Sequence, residues 1–118
     1  MPYVDGFVVP VKTAHKEAYI AMSRGVAALY LEYGALRCVE TWGDDVPLGK
    51  HTSFPRAVAL EADETAAFSW IEFPDKATRD SAHGAVMADP RMEALMNTEI
   101  VSGPRMIFGG FETILDAR

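Results

Sequence analysis

Acidic and aromatic side chains alternate along four segments of the sequence, and together they are typical of a small-molecule pocket. Because successive residues of a β-strand point to opposite sides of a sheet, residues two apart are expected on one face. Counted in this way, one face carries mainly large aromatic residues and carboxylates: Tyr3, Asp5, Phe7, Cys38, Glu40, Trp42, Phe68, Trp70, Glu72, Phe108 and Glu112. Such a face is too apolar for water and too acidic for an ordinary core.

Carboxylates crowded into a partly dry pocket raise one another's pKa, which makes a general acid or base available near neutral pH. The catalytic candidates are therefore Glu40, Asp5 and Glu72. The expected ligand-binding residues combine aromatic and polar contacts: Tyr3, Asp5, Glu40, Trp42, Trp70 and Glu72. The alternative interpretation is structural, since these acids could instead pair with arginines such as Arg37 and Arg105 and fix the register of a dimer.

The other chemically capable residues give weaker indications. His15, His51 and His83 have no metal-ligand spacing, so no metal site is predicted from them. His51 follows Lys50 in a loop rich in proline and glycine and is a further acid/base candidate, although most exposed loop histidines have no such role. Cys38 is the only cysteine, which excludes an internal disulfide and fits a small core residue. The sequence has no nucleotide-binding glycine motif and no nucleophile elbow, so no cofactor is predicted.

Composition predicts a single domain over residues 1–118. Apolar residues make up 49% of the 118 residues, which is typical of a globular chain of this length. Eleven Lys and Arg against 17 Asp and Glu give a net charge of −6, which disfavours nucleic-acid binding. No run of about 20 apolar residues and no signal-peptide pattern is present, so we expect a cytoplasmic protein without membrane contact.

The elements that must position these residues alternate between strands and helices. Alternating patterns rich in β-branched and aromatic residues predict strands over 3–11, 35–42, 68–73 and 105–115. Helical spacing and capping residues predict helices over 14–33, about 53–60 and 75 to about 87, capped by Thr13, Ser53 and Asp75, with a short helix after Asp89. The segment 53–60 is also compatible with a strand. Gly109 and Gly110 indicate a bulge or a close backbone approach.

This order predicts an α+β fold of the ferredoxin-like βαββαβ kind, with helices on one face of a four-stranded antiparallel sheet. We expect the helix-covered face to consist of apolar residues: Val4, Val8, Val39, Ile71, Phe73, Ile107 and Phe111. The aromatic and acidic face must then be covered as well. A second copy of the chain, packed face to face, would close the two sheets into a barrel with a pocket in each protomer.

Five motifs occur in an order that resembles a known family: GALR, DVP followed by GK, FSWI, DPRM, and RMI followed by GGFE. The sequence is similar over nearly its whole length to the YbaA-like family of small bacterial proteins of unknown function. The resemblance implies a dimeric α/β barrel with a ferredoxin-like fold. Its superfamily includes cofactor-independent monooxygenases and haem-degrading or peroxidase-like barrels, but no histidine of this chain is placed as a haem ligand.

The leading hypothesis from the sequence is a small-molecule-binding homodimer with a pocket on the barrel face, and with acid/base or oxygenase-like chemistry as an extension. The alternative is a non-catalytic structural or interaction dimer, which predicts a filled barrel without a pocket of about 300 Å³ or more. RNA association, a label sometimes given to this family, ranks third because the chain is acidic.

Overall fold

The computed structural model describes residues 2–118. Its strands are β1 (Tyr3–Lys12), β2 (Arg37–Trp42), β3 (Glu64–Phe73) and β4 (Ile107–Glu112). Its helices are α1 (Lys16–Glu32), α2 (Phe54–Ala57), α3 (Lys76–Ala88) and α4 (Pro90–Leu95). Short 3₁₀ turns cover Thr13–His15 and Gly103–Arg105. The order of strands and helices is the one that the sequence patterns predict.

The four strands form one antiparallel sheet in the order β2, β3, β1, β4. β1 and β3 pair along their full lengths, from Tyr3 opposite Phe73 to Lys12 opposite Glu64. β4 pairs only with the first part of β1, as far as Val8. This topology confirms the predicted α+β ferredoxin-like fold.

The main core lies between one face of the sheet and the helices α1 and α3. Phe73, in β3, is fully buried and meets the ring of Tyr30 of α1 edge to face, with the centroids 6.2 Å apart. Ala82 and Val86 of α3 and Leu29 of α1 are buried in the same cluster. Because these residues recur at three- and four-residue spacing, each helix presents one apolar stripe to the sheet.

The predicted helix caps are confirmed with one exception. Three side chains accept a hydrogen bond from a backbone N–H of the following turn: Ser53, Asp75 and Asp89. Thr13 instead begins a 3₁₀ turn, and α1 starts after His15, whose side chain makes no capping bond. The Thr13 hydroxyl is hydrogen-bonded to that of Thr65 at 2.7 Å, a contact between distant segments that local patterns do not reveal. The segment predicted as a helix over 53–60 forms only the four-residue α2.

Strand β3 begins earlier than predicted, at Glu64 rather than Phe68. Alanine is a weak strand former, so Ala66 and Ala67 give little local signal. They are nevertheless buried and pair with β1. Tertiary pairing therefore extends the strand beyond what its own composition favours.

The paired glycines of β4 form no bulge, because Gly109 and Gly110 stay in register with β1. A side chain at Gly110 would overlap the Tyr3 hydroxyl and the Arg79 guanidinium. Of the two predicted reasons for these glycines, the close approach is therefore the one observed. The closing strand is also shorter than predicted and ends at Glu112.

The predicted assignment of residues to the two faces is wrong. The register puts one set under the helices: Tyr3, Asp5, Phe7, Cys38, Glu40, Trp42, Ile71, Phe73, Phe108 and Glu112. It puts the other set on the opposite, open face: Val4, Val8, Val39, Phe68, Trp70, Glu72, Ile107 and Phe111. The alternation of side chains within each strand is as predicted. Two things were not available from local patterns: which residues of β3 share a face with those of β1 and β2, and which face the helices cover. Both depend on long-range pairing.

The open face is covered at one end only. Val8 and Ala66 are buried there by Val58 and Leu60, which follow α2 in the connection between β2 and β3. The other end of this face remains uncovered. Among residues 2–118, no helix combines the length and apolar composition that crossing a membrane requires.

Candidate functional site

A groove of about 810 Å³ runs over the uncovered end of the open face. Its sheet residues come from all four strands: Val4, Gly6, Arg37, Phe68, Trp70, Glu72 and Phe111. The C-terminal segment 113–118 supplies most of the remaining wall, and the Thr113 N–H donates to the Pro2 carbonyl at 3.2 Å. We call this feature the open-face groove. Its size is that of a small-molecule site.

Gly6 lies in the floor of the open-face groove and has no side chain above the sheet. Gly6 of β1 is opposite Trp70 of β3 on one side and Gly109 of β4 on the other. The ring of Phe111 lies over both glycines, since a Cβ placed at either would lie 3.5–3.6 Å from it. The Phe111 ring therefore covers the backbone at this point, and aromatic rings border the groove.

Aromatic rings continue along the same face toward α2. The rings of Phe68 and Trp70 have centroids 5.7 Å apart, and Phe54 meets Phe68 edge to face, also at 5.7 Å. Phe68 is 43% exposed and Phe111 is 62% exposed. A smaller cavity of about 200 Å³ lies between Phe54, Phe68 and the loop that follows β2. Exposed rings of this number on a sheet are the usual mark of a surface that something else covers.

The polar end of the open-face groove holds an arginine and a glutamate. The Trp70 indole N–H donates to Glu72 Oε2 at 2.9 Å, and Arg37 Nη1 lies 3.6 Å from the same oxygen. This loose ion pair is the only one that Arg37 makes within residues 2–118, and most of its side chain is exposed. Its guanidinium therefore keeps donors free to bind an incoming acceptor.

The helix-covered face holds Asp5 in a different kind of contact. Asp5 is 7% exposed, and both of its carboxylate oxygens accept from Arg79 Nε of α3, at 3.0 and 3.1 Å. The Arg79 guanidinium also lies over the ring of Tyr3, 5.1 Å from its centroid, and binds Asp80 at 2.8 Å. Since Gly110 leaves the room that this arrangement needs, the contact ties α3 to the middle of the sheet.

Glu40 lies farther along the covered face and is bound by a tyrosine. The hydroxyl of Tyr19 donates to Glu40 Oε2 at 2.6 Å. Loss of water around the carboxylate raises the pKa of Glu40, although hydrogen bonds from Tyr19 and Ser69 act in the opposite direction. Trp42 packs against Tyr19 with ring centroids 6.2 Å apart, and the Lys16 ammonium lies 5.7 Å from the Trp42 ring centroid. Glu40 therefore lies beside α1 and is not part of the open-face groove.

Two similarities identify the family of the chain. A family model described as "Protein of unknown function (DUF1428)" matches residues 2–103. The chain belongs to this family. It is 51% identical over 116 residues to the "Uncharacterized protein YbaA" of Escherichia coli strain K12, covering 98% of this chain and 99% of the relative. The resemblance inferred from the sequence motifs is therefore confirmed.

Solved structures of low sequence identity show the same fold. A dimeric ferredoxin-like protein from an uncultured marine organism matches with a TM-score of 0.61 and 9% identity, over 99% of this chain and 100% of that one. SnoaB, described as a cofactor-independent oxygenase from Streptomyces nogalater, matches with a TM-score of 0.58 and 14% identity, over 98% and 95% of the two chains. At these identities the likeness establishes the architecture and leaves the activity open.

The structure separates the residues that the sequence pattern placed in one pocket. Trp70 and Glu72 line the open-face groove, whereas four others lie under the helices: Tyr3, Asp5, Glu40 and Trp42. His51 is exposed in the loop before α2 and lies outside the lining of both cavities. The predicted roles of these residues in binding or catalysis stay predictions.

Sequence reasoning missed several contributors to the open-face groove, among them Val4, Gly6, Arg37 and Phe111. Arg37 appeared only as a partner for acids, and Val4 and Phe111 were assigned to the core. A signal was present only for Gly6, since a glycine inside a strand indicates the close approach of another group.

Proposed function

We propose that the protein is a homodimer in which a second copy covers the open face, and that the open-face groove then binds a small molecule. The observation that carries this proposal is the groove of about 810 Å³, walled by exposed aromatic rings on the side of the sheet opposite the helices. The alternative hypothesis, a filled barrel, requires side chains of the second copy to occupy this groove in the dimer.

A second copy is the occupant that the surface favours. The exposed rings Phe68 and Phe111 lie on a sheet face, and the adjoining C-terminal segment exposes Ile114 and Leu115 by 90% and 80%. A stable interface needs about 800 Å² from each partner, with an apolar centre. Two sheets packed face to face would provide that centre and bury these side chains together. The marine protein of the same fold is described as dimeric, which supports this assembly.

Glu72 is the sheet carboxylate that proton transfer in the groove would use, and Asp116 of the C-terminal segment is the other aspartate or glutamate in its lining. Asp5 and Glu40 lie on the other side of the sheet. SnoaB of the same fold is described as an oxygenase without a cofactor, so chemistry without a bound cofactor is compatible with this architecture. For the present chain, binding is the proposed function, and a reaction is its extension.

Native mass spectrometry of freshly purified protein tests the proposal, because one spectrum gives both the assembly mass and any molecule retained in it. We expect twice the chain mass of 12.9 kDa, with or without added ligand mass. The variant Phe111→Asp should yield monomer, since it puts a charge at the centre of the proposed interface. The matched control is Met87→Asp, which adds the same charge at a residue of similar exposure on α3.

A monomeric wild type would overturn the proposed assembly, as would dimers of unchanged stability in Phe111→Asp. A dimer whose crystal structure shows side chains filling the groove would overturn the binding function and support the non-catalytic dimer instead.

A further inference from the structure

From the shape and charge of the open-face groove we infer that its ligand is a flat aromatic anion, namely a ring system that carries a carboxylate. This inference rests on the proposed function, because it specifies the ligand of the same groove. It follows from three features: a glycine in the floor at Gly6, aromatic rings at its sides, and the free donors of Arg37 at one end.

The floor admits a flat ring. Gly6 and Gly109 are neighbours across β1 and β4 and put no side chain above the sheet. Trp70 lies directly beside Gly6 in the register, and the exposed Phe111 ring lies above the two glycines. A planar ligand entering between Phe111 and Trp70 would stack on aromatic surface on both sides.

The end of the open-face groove at Arg37 favours a ligand that carries a negative charge. Arg37 presents a planar fork of N–H donors, and within residues 2–118 its only ion pair is the 3.6 Å contact with Glu72. A carboxylate can accept two parallel hydrogen bonds from such a fork. The Glu72 oxygen nearest Arg37 already accepts the Trp70 indole N–H, so it is less free to bind a cationic ligand. The other charged side chains of the lining, Asp116 and Arg118, lie 3.5 Å from each other and form their own ion pair. An ammonium group at this place would also be repelled by Arg37.

The second copy would strengthen this recognition. In one protomer the groove is open to water, which weakens the attraction between a guanidinium and a carboxylate. Covering it removes water from around the ion pair while the rings keep their contacts. The groove therefore fits an amphipathic ligand, with its ring between Phe111 and Trp70 and its carboxylate at Arg37.

The two tryptophans provide the measurement, because Trp70 lines the open-face groove and Trp42 lies on the covered face. Their indole N–H signals in a nitrogen-15 correlation spectrum report on the two faces separately, and Trp42→Phe assigns them. The probes are naphthoate, naphthylmethanol and naphthylmethylamine, which share one ring system and differ in charge. We expect naphthoate to shift the Trp70 signal and leave Trp42 unchanged, with affinity at least about tenfold above that of the alcohol and the amine.

The variant Arg37→Gln tests the proposed anion contact. It should lower naphthoate affinity by about tenfold and leave naphthylmethanol affinity unchanged, since the aromatic walls remain. Arg24→Gln is the matched control, because Arg24 is an exposed arginine of α1 away from the groove. Native mass spectra recorded on the same samples establish whether each variant is a dimer.

The outcomes distinguish the inference from the proposed function. A dimer that binds the amine more tightly than naphthoate, or whose naphthoate affinity is the same in Arg37→Gln, overturns the ligand class and leaves the assembly standing. A dimer in which naphthoate shifts only Trp42, or neither signal, also overturns it. A monomeric wild type overturns the proposed function itself.

Discussion

The two faces of the sheet carry similar side chains, but their carboxylates differ in how fully they are bound by partners within the chain. On the covered face, Asp5 has both oxygens bound by Arg79, and Glu40 accepts a short hydrogen bond from Tyr19. On the open face, Glu72 has one engaged oxygen, and its arginine partner is loose and exposed. Composition does not distinguish these environments. What distinguishes them is whether each polar group finds its partner within the same chain.

This difference separates the side chains that hold the fold together from those that are available to bind another molecule. A carboxylate whose lone pairs are used by neighbouring helices holds the fold together, and removing its partner costs stability. An arginine and aromatic rings left without partners are free to meet another molecule. On this criterion the covered face is mainly structural and the open face is the interaction surface. The following substitutions test that division, beginning with the largest expected effect.

Phe73→Ala should destabilise the protein most, by about 4 kcal/mol, because it empties a fully buried site beneath α1 and α3. The control is Met87→Ala on the outer side of α3, where the side chain is 53% exposed and the expected change is within about 0.5 kcal/mol. Urea unfolding followed by circular dichroism measures both. Equal losses in the two variants would mean that the covered face is not the core.

Arg79→Met should cost about 3 kcal/mol, because it leaves the Asp5 carboxylate buried without a partner. The double variant with Asp5→Leu should recover much of this loss, since both charges are then absent. Unfolding free energies of the two single variants and the double variant give the coupling between the residues. Additive effects would show that the pair does not act as a unit, and would weaken the structural assignment of Asp5.

These contacts also show how far the sequence could lead. The strand and helix order, three caps and the family follow from local patterns and motifs, because those depend on neighbours in the chain. The Asp5 contact joins residues 74 positions apart, and no periodicity predicts it. The face assignment failed for the same reason. The side chains alternate along each strand as predicted. Only the pairing of Trp70 with Gly6 and Val39 shows that Trp70 lies on the other face of the sheet from Asp5 and Glu40.

The covered end of the open face provides an internal comparison through pH. Glu64 binds Arg105 through both oxygens, at 2.7 and 2.6 Å, and this hydrogen bonding lowers the pKa of Glu64 from 4.5 to about 2. A carboxyl group whose folded pKa is depressed stabilises the protein above its unfolded pKa, and this stability is lost as pH falls toward the folded pKa.

Glu64 should therefore contribute about 2 kcal/mol above about pH 5, and this contribution should be lost progressively as the pH falls from about 5 to about 2. Glu64→Gln should be less stable than wild type at pH 6, and the difference should narrow steadily as the pH is lowered toward 2. Glu72→Gln, at the uncovered end of the same strand, is the matched control for the same substitution without a two-oxygen contact to an arginine. Urea titrations at several pH values measure the slopes, and parallel curves for wild type and Glu64→Gln would contradict the assignment.

The smallest effect is expected for Glu40→Gln, and its sign is the informative quantity. Burial raises the pKa of Glu40, so the folded state favours the protonated form and the ionised carboxylate destabilises the protein as pH rises above the ordinary value of 4.5. A glutamine keeps an acceptor for the Tyr19 hydroxyl and carries no charge. Because Glu40 is partly exposed, water screens its charge, and we expect the variant to equal wild type at low pH and to be only slightly more stable near neutral pH. A variant less stable than wild type at neutral pH would instead show that the ionised carboxylate has a structural role as the acceptor of the Tyr19 hydrogen bond.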